Sequence, residues 1–198
     1  MISNPKRDWT EAYVPLLLIW LTLTAVLGLP TYSIFSSCIQ AVCLMFLTYL
    51  GHVVLHQITE DHPLYIFNTH LFLHHTKERV FDKRIELVIE AISNFWCFAS
   101  LIVFQYIFSL HIFSTSIIIF SGILYIITHI LDYSIYGNEK HGLHHKYLWC
   151  NFEPEFIDTL FGTRCKPDLP YTDMTIEIPH AILAFTFVGT LKLIFGLD

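Results

Sequence analysis

Five long apolar stretches, separated by polar segments, dominate the pattern of the chain. A transmembrane helix needs about 20 consecutive, mostly apolar residues. The stretches that reach or approach this length are residues 13–29, 34–56, 85–109, 112–136 and 178–196. Pro30 ends the first stretch, and Pro179 opens the last in a position suited to the first turn of a helix. The pattern predicts an all-α membrane protein with four transmembrane helices, or five if the last stretch also crosses.

The last stretch is the least certain of the five, because it contains Thr186, Gly189, Thr190 and Lys192. It either crosses the membrane or lies in the interface as an amphipathic helix. Short connections join the first stretch to the second (residues 30–33) and the third to the fourth (Leu110 and His111). Short connections favour antiparallel neighbours, so we expect two helical hairpins beneath a helical cap.

Residues 1–198 are expected to form a single integral-membrane domain. Its parts are an N-terminal segment (1–12), a core (about 13–165) and a tail with the last apolar helix (166–198). Both hairpin turns lack Lys and Arg, and every basic residue except Lys192 falls in one of three segments on the other face, near residues 6–7, 77–84 and 140–166. The positive-inside rule therefore predicts that this face is cytoplasmic. If the source is eukaryotic, we expect the endoplasmic reticulum membrane, with another organelle membrane as the alternative.

Composition supports the membrane class. The chain is 54% hydrophobic and 14% charged, whereas soluble domains carry about 25% charged residues. A net charge of −6 gives no indication of nucleic-acid binding. The five cysteines show no paired spacing, and we predict no structural disulfide.

Nine of the twelve histidines fall in four places, all on the face predicted to be cytoplasmic. Three of these places are boxes of the form His-x-x-x-His, His-x-x-x-His-His and His-x-x-His-His, and the fourth is a lone histidine: His52, His56; His70, His74, His75; His141, His144, His145; and His129. Residues three or four apart share one face of a helix, so the side chains of a box can converge. The second box spreads over about 140° of an α-helix, so it binds two ions or the helix is distorted there.

Metal binding is the predicted role of these nine histidines. Imidazole suits zinc, copper, iron and nickel, but a zinc site is closed by about four ligands. Two ions with three to five histidines each fit the count better. The sequence lacks the two Glu-x-x-His motifs of a carboxylate-bridged helix bundle, and it has no Met-rich or Cys set that would favour copper. His62, His111 and His180 stand apart and are interpreted as ordinary residues, while Asp132 is a candidate to orient a ligand histidine.

The order of the boxes resembles the pattern of membrane fatty-acid desaturases and hydroxylases. The stretch from His141 to Thr163, with Asn151-Phe152 and Asp158-Thr-Leu-Phe-Gly-Thr163, is similar to the end of the fatty acid hydroxylase / sterol desaturase superfamily. The resemblance covers roughly residues 45–165. Two features depart from it: the second box has one additional residue, and Tyr133 stands where a second histidine often follows the lone one.

The resemblance implies a non-haem di-iron centre over four membrane helices. It also implies O2, an external electron donor such as cytochrome b5, and hydroxylation or desaturation of a fatty acyl or sterol-type lipid. Carried over box by box, the implied ligands are the eight box histidines with His129. Asn151 and Asp158 of the tail motif are candidates for supporting residues, beside Asp132.

Two other functions remain open at this stage. The chain could be an accessory membrane subunit of a larger complex that keeps the fold and the metal site. A metal transporter is the other alternative, although its ligands would lie near the bilayer midplane rather than on one face. Five aromatic residues could line an acyl pocket, but lipid-facing or packing roles are the more common ones: Phe95, Trp96, Phe98, Phe104 and Tyr106.

Overall fold

The computed structural model describes residues 9–75, 81–135 and 137–198, without the side chains of Trp9, Leu73 and residues 132–134. All regular structure in these ranges is helical, which confirms the predicted all-α class. The α-helices are α1 (Trp9–Gly28), α2 (Ile34–Gln57), α3 (Lys83–Ile107), α4 (Thr115–Ile127), α5 (Glu139–Tyr147), α6 (Glu155–Phe161) and α7 (Ile178–Phe195). Two π-helical segments (His70–His74 and Thr128–Ile135) and two 3₁₀ turns (Tyr65–Phe67 and Met174–Glu177) complete the elements.

Four helices are long and apolar enough to cross a membrane, and they are not quite the four that the sequence favoured. They cover Thr10–Gly28, Ile34–Gln57, Lys83–Ile107 and Met174–Phe195. The last apolar stretch, residues 178–196, is therefore among them. The stretch 112–136 contains the apolar helix Thr115–Leu131, which changes from an α-helix to a π-helix at Thr128.

A close contact holds the C-terminal end of α1 against the N-terminal part of α2. Ser33 caps α2 by accepting a hydrogen bond from the Ser36 amide. One turn on, Ser37 meets Gly28, where an added Cβ would lie 1.9 Å from the Ser37 Oγ. Small residues allow this approach, as they commonly do between membrane helices.

The substitution Gly28→Ala is expected to lower the unfolding temperature in detergent, at a cost of about 1–3 kcal/mol, because overpacking forces Ser37 and the helix backbone apart. Gly51→Ala in α2 is the matched control, since a Cβ there meets nothing within 4 Å. Equal unfolding temperatures for the two variants would contradict the packing described here.

α3 and α4 pack side by side, and their connection is held by one buried side chain. The Gln105 Oε1 accepts hydrogen bonds from the amides of Ile112 and Phe113, and its Nε2 donates to the Phe113 carbonyl. Farther from this connection, Gly122 of α4 has no side chain, so the Phe98 ring of α3 approaches α4 closely. The Gln105 contacts satisfy three backbone polar groups in the connection between two apolar helices.

α7 runs along α4 in the opposite direction and touches it at both ends. At one end, the Asp198 backbone and side chain accept hydrogen bonds from Ser114 Oγ and the Thr115 amide. At the other, the Glu177 Oε2 accepts a hydrogen bond from Thr128 Oγ1. α7 therefore covers the length of α4, from Thr115 to the start of the π-helical segment at Thr128.

The interior of the bundle is apolar, and so is much of its outside. Leu44, Ile117, Ile118, Phe120 and Val188 are fully buried between α2, α4 and α7. Of the five aromatic residues named as candidates for an acyl pocket, Phe98 is buried, whereas Phe95, Trp96, Phe104 and Tyr106 are exposed. An exposed apolar surface of this extent is typical of a protein that contacts lipid.

Candidate metal centre

All nine box and lone histidines meet at one end of the bundle. His52 and His56 lie in the last turns of α2, and His70 and His74 lie in the first π-helical segment, which His75 follows. His129 lies in the second π-helical segment. The last box, His141, His144 and His145, lies on α5, which Asn138 caps through its Oδ1. The structure therefore brings together side chains from four separate parts of the sequence.

Five of these residues form what we call the five-histidine group: His52, His56, His70, His75 and His144. One ring nitrogen of each lies within 4.8 Å of those of the others. The Nε2 of His70 is central, at 2.8 Å from that of His52 and 3.1 Å from those of His56 and His75. The Nε2 atoms of His52 and His144 are 3.1 Å apart. Such a group could hold a metal ion.

The remaining four, His74, His129, His141 and His145, form the four-histidine group. The Nε2 atoms of His74, His141 and His145 make a triangle with sides of 3.0 Å. His129 has a ring nitrogen within 4.8 Å of those of His74 and His141. The two groups adjoin, since the rings of His75 and His145 stack with centroids 4.3 Å apart. This arrangement could hold a second ion.

The first π-helical segment explains why the second box is wide. In a π-helix the hydrogen bond joins residues five apart, and here the His75 amide donates to the His70 carbonyl. The wider turn returns His75 to the side of His70, so both join the five-histidine group. His74 points instead to the four-histidine group. The structure thus shows a distorted helix, and the box contributes to both groups.

Backbone carbonyls fix the protonation of two histidines in the five-histidine group. The Nδ1 of His52 lies 2.6 Å from the Phe152 carbonyl oxygen, and that of His144 lies 2.7 Å from the Cys150 carbonyl oxygen. A carbonyl only accepts, so each Nδ1 carries the proton and donates it. Burial lowers the pKa of His144 to about 4, which keeps its ring neutral near pH 7. Its Nε2 lone pair therefore faces that of His52.

Two unprotonated nitrogens 3.1 Å apart repel each other unless a cation lies between them. At a metal–nitrogen distance of about 2.1 Å, adjacent ligands are about 3.0 Å apart at 90° and about 3.4 Å apart at the tetrahedral angle. The Nε2 separations of 2.8–3.1 Å match the 90° arrangement. The histidine cluster could therefore hold a metal ion.

Glu90 is a functional candidate that the sequence analysis missed. Its Oε1 lies 3.0 Å from the Nδ1 of His74 and 3.0 Å from the Nε2 of His129. It belongs to α3 and is only 13% exposed. A carboxylate of this kind orients a ligand histidine and raises its basicity. Glu90 could have been identified from the sequence, because it interrupts an apolar stretch. An acidic residue inside a membrane span is costly and usually functional.

Asp132, Asn151 and Asp158 were predicted to support the metal ligands, and the structure places them differently. Asp158 accepts hydrogen bonds from the amides of Phe152 and Glu153 and from Thr163 Oγ1, so it shapes the loop whose carbonyl orients His52. Asn151 ties the same loop to α5 by donating to the Lys140 carbonyl. Neither has a described hydrogen bond to a histidine. The side chain of Asp132 lies outside the described part of the chain.

Cys150 and Cys165 form a disulfide, so the prediction of no structural disulfide was wrong. The pairing closes the loop between α5 and residue 165, which the Asn151 Oδ1 also holds by accepting from the Cys165 amide. Disulfides persist mainly in oxidising compartments, which opposes the predicted cytoplasmic placement of this face. Sidedness remains a prediction from charge alone.

The three isolated histidines lie outside both groups, as expected. The Nδ1 of His62 accepts from the Leu64 amide, and that of His180 lies 3.1 Å from the Glu177 Oε2. His111 is exposed in the connection at the opposite end of the bundle. Comparison of the chain with protein-family models, with characterised proteins and with solved structures finds no significant match.

Proposed function

We propose that the chain is an O2-dependent, non-haem di-iron oxidoreductase that hydroxylates or desaturates a C–H bond of a lipid. The observation that carries the proposal is the pair of adjoining histidine groups with Nε2 separations near 3 Å. Iron accepts imidazole ligands in six-coordinate geometry, and an all-histidine set without thiolates suits it. The resemblance of the boxes and of the Asp158–Thr163 motif to lipid hydroxylases supports iron and a lipid substrate.

Bound iron would supply the activation of O2, and the protein would supply positioning and exclusion of water. The eight box histidines would present their Nε2 atoms, while the carbonyls of Cys150 and Phe152 keep two of the rings in the required tautomer. The Phe152 ring packs against His52, His56 and His144 with centroids 5.4–5.6 Å away. This buried apolar ring would help to exclude water from the five-histidine group.

The proposed substrate and electron donor follow from the surroundings of the site. The histidines lie where apolar helices end, so a membrane lipid could approach from the bilayer. An external one-electron carrier such as cytochrome b5 would deliver two electrons from the aqueous side. Hydroxylation and desaturation use the same metal set and differ in the fate of the substrate after hydrogen abstraction.

Metal analysis of the protein purified in mild detergent tests the proposal. We expect about two irons per chain, and loss of both on treatment with a chelator. Lipid analysis of cells with and without the chain should then show one oxidised lipid that depends on it. A folded protein that contains zinc or no metal would overturn the iron proposal. Two irons without a lipid product would favour the accessory-subunit alternative.

A further inference from the structure

A disulfide closes the segment that orients the five-histidine group. Cys150 and Cys165 lie on either side of α6, and their Cα atoms are 5.2 Å apart. The Cys150 carbonyl oxygen lies 2.7 Å from the Nδ1 of His144, and the Phe152 carbonyl oxygen lies 2.6 Å from the Nδ1 of His52. The disulfide is therefore attached to the same stretch of backbone that holds two of the five histidines in their tautomers.

The backbone between α5 and α6 has a conformation that its residues do not favour by themselves. Leu148, Asn151 and Glu153 have positive φ angles of 61°, 53° and 62°. Asn adopts this left-handed region at little cost, but Leu and Glu do so rarely. Such a backbone persists only where the surrounding structure determines it. The Cys150 and Phe152 carbonyls belong to this stretch, so their direction depends on restraints that come from outside it.

The disulfide is the covalent restraint among several hydrogen bonds. The Asn151 amide donates to the Thr163 carbonyl, the Cys165 amide donates to the Asn151 Oδ1, and the Asp158 Oδ1 accepts from the Phe152 amide. Opening the disulfide removes a loop closure and increases the number of conformations open to the segment. Because the hydrogen bonds remain, we expect the segment to loosen rather than unfold, with the two carbonyls less firmly aimed at their histidines.

The position of the disulfide favours a bond that opens and closes. Cys150 and Cys165 are both partly exposed, so a small thiol from solution can reach their sulfur atoms. The charge pattern predicts that this face is cytoplasmic, where protein thiols are kept reduced. The disulfides that do occur in the cytoplasm are usually transient, with a catalytic or redox-sensing role. Accessibility and predicted sidedness therefore indicate the same behaviour.

We propose that the Cys150–Cys165 pair is a thiol–disulfide exchange site for a small thiol of the glutathione type, and that its opening weakens ion binding by the five-histidine group. One glutathione thiolate attacks a sulfur of the pair, which breaks the Cys150–Cys165 bond, forms a mixed disulfide and releases the other cysteine. A second glutathione thiolate attacks the glutathione sulfur of the mixed disulfide and releases the remaining cysteine. Two electrons pass to the protein, the two glutathione protons end on the two cysteines, and oxidised glutathione leaves. The exchange requires no metal, whereas its effect on ion binding rests on the metal centre of the proposed function.

Thiol counting tests the exchange on the metal-free, full-length chain in detergent. The chain is equilibrated with glutathione buffers that range from fully oxidised to about a hundredfold excess of the reduced form, and free thiols are then tagged and counted by mass. The variant with Cys38, Cys43 and Cys97 replaced by Ser has only the pair left, because these three are the free cysteines. Its count should rise from zero to two and return to zero on reoxidation with oxidised glutathione. A disulfide that persists in the most reducing buffer would overturn the proposal.

Serine variants test the coupling to the histidines without any reductant present. Cys150→Ser, Cys165→Ser and the double variant are loaded with Fe²⁺ in the absence of O2 and compared with the wild type in competition with a chelator. One of the two ions should bind about 10–100-fold more weakly, the usual effect of disturbing groups that orient metal ligands. The three variants should be equally affected, because each lacks the same bond. Cys97→Ser is the matched control, since Cys97 is an exposed free cysteine, and it should bind both ions as the wild type does.

Selectivity for one ion distinguishes this coupling from a general loss of stability. In His144→Ala, whose five-histidine group is already incomplete, adding Cys165→Ser should cause no further loss of iron. Equal weakening of both ions, or unchanged binding in Cys165→Ser, would overturn the coupling even if Cys150→Ser failed to fold. A wild type that binds no iron would overturn the metal centre and the coupling with it, while the thiol counts would still decide the exchange.

Discussion

The variant His144→Ala is expected to lose one of the two irons and to reduce lipid turnover by at least about a hundredfold. His144 is fully buried, and its Nε2 lies 3.1 Å from that of His52. Removing its imidazole leaves a gap in the five-histidine group, while the four-histidine group keeps all its members. Iron analysis of the purified variant and measurement of the oxidised lipid check this result.

His111→Ala is the control for this experiment, because it removes an exposed imidazole at the opposite end of the bundle. It should retain about two irons and full turnover. Circular dichroism of both variants distinguishes loss of iron from loss of helical structure. Two irons and normal turnover in His144→Ala would exclude the five-histidine group as a metal site.

Glu90→Leu is expected to weaken iron binding in the four-histidine group by about 10–100-fold, the usual cost of removing a group that orients metal ligands. The Glu90 carboxylate contacts both His74 and His129 at 3.0 Å, and no other described carboxylate lies as close to them. Glu90→Gln keeps one acceptor oxygen and should have a smaller effect. Competition with a chelator of known affinity measures the difference.

Glu86→Leu is the matched control, one helical turn away on α3. Glu86 accepts a hydrogen bond from the Phe81 amide near the start of the helix and touches neither histidine. It should lower stability slightly and leave iron affinity unchanged. If Glu86→Leu and Glu90→Leu lose iron equally, Glu90 acts through the stability of α3 rather than through His74 and His129. The double variant His144→Ala with Glu90→Leu should bind little or no iron.

Much of this fold could be predicted from local patterns in the sequence. The apolar stretches and the spacing within each histidine box depend on a few consecutive residues, so they are readable from the sequence. Even the uncertain last stretch follows this logic, since Met174–Phe195 remains apolar enough to cross despite Thr186 and Lys192. Residues 112–136 are the exception to this, because their hydropathy does not indicate that the α-helix ends at Ile127.

Contacts that depend on chain folding could not be predicted in the same way. The carbonyls of Cys150 and Phe152 orient two histidines, but a carbonyl is present in every residue and leaves no trace in the sequence. The Cys150–Cys165 disulfide forms because the loop returns on itself, with the Asn151 amide bonded to the Thr163 carbonyl. Four of the basic residues on which the predicted sidedness depends lie outside the described ranges: Lys6, Arg7, Lys77 and Arg79.

The π-helical segment at His70–His74 has a consequence for how the site tolerates changes in chain length. A π-turn is equivalent to an α-helical turn that has gained one residue. Deleting Leu71 would let the segment become an α-helix in which His75 still lies on the side of His70, because residues four apart share one helix face. If the segment became α-helical at its full length, His75 would instead rotate by about 100° relative to His70. One box would then no longer contribute to both groups. At this position the loss of one residue is therefore expected to change the site less than a return to α-helical geometry with every residue kept.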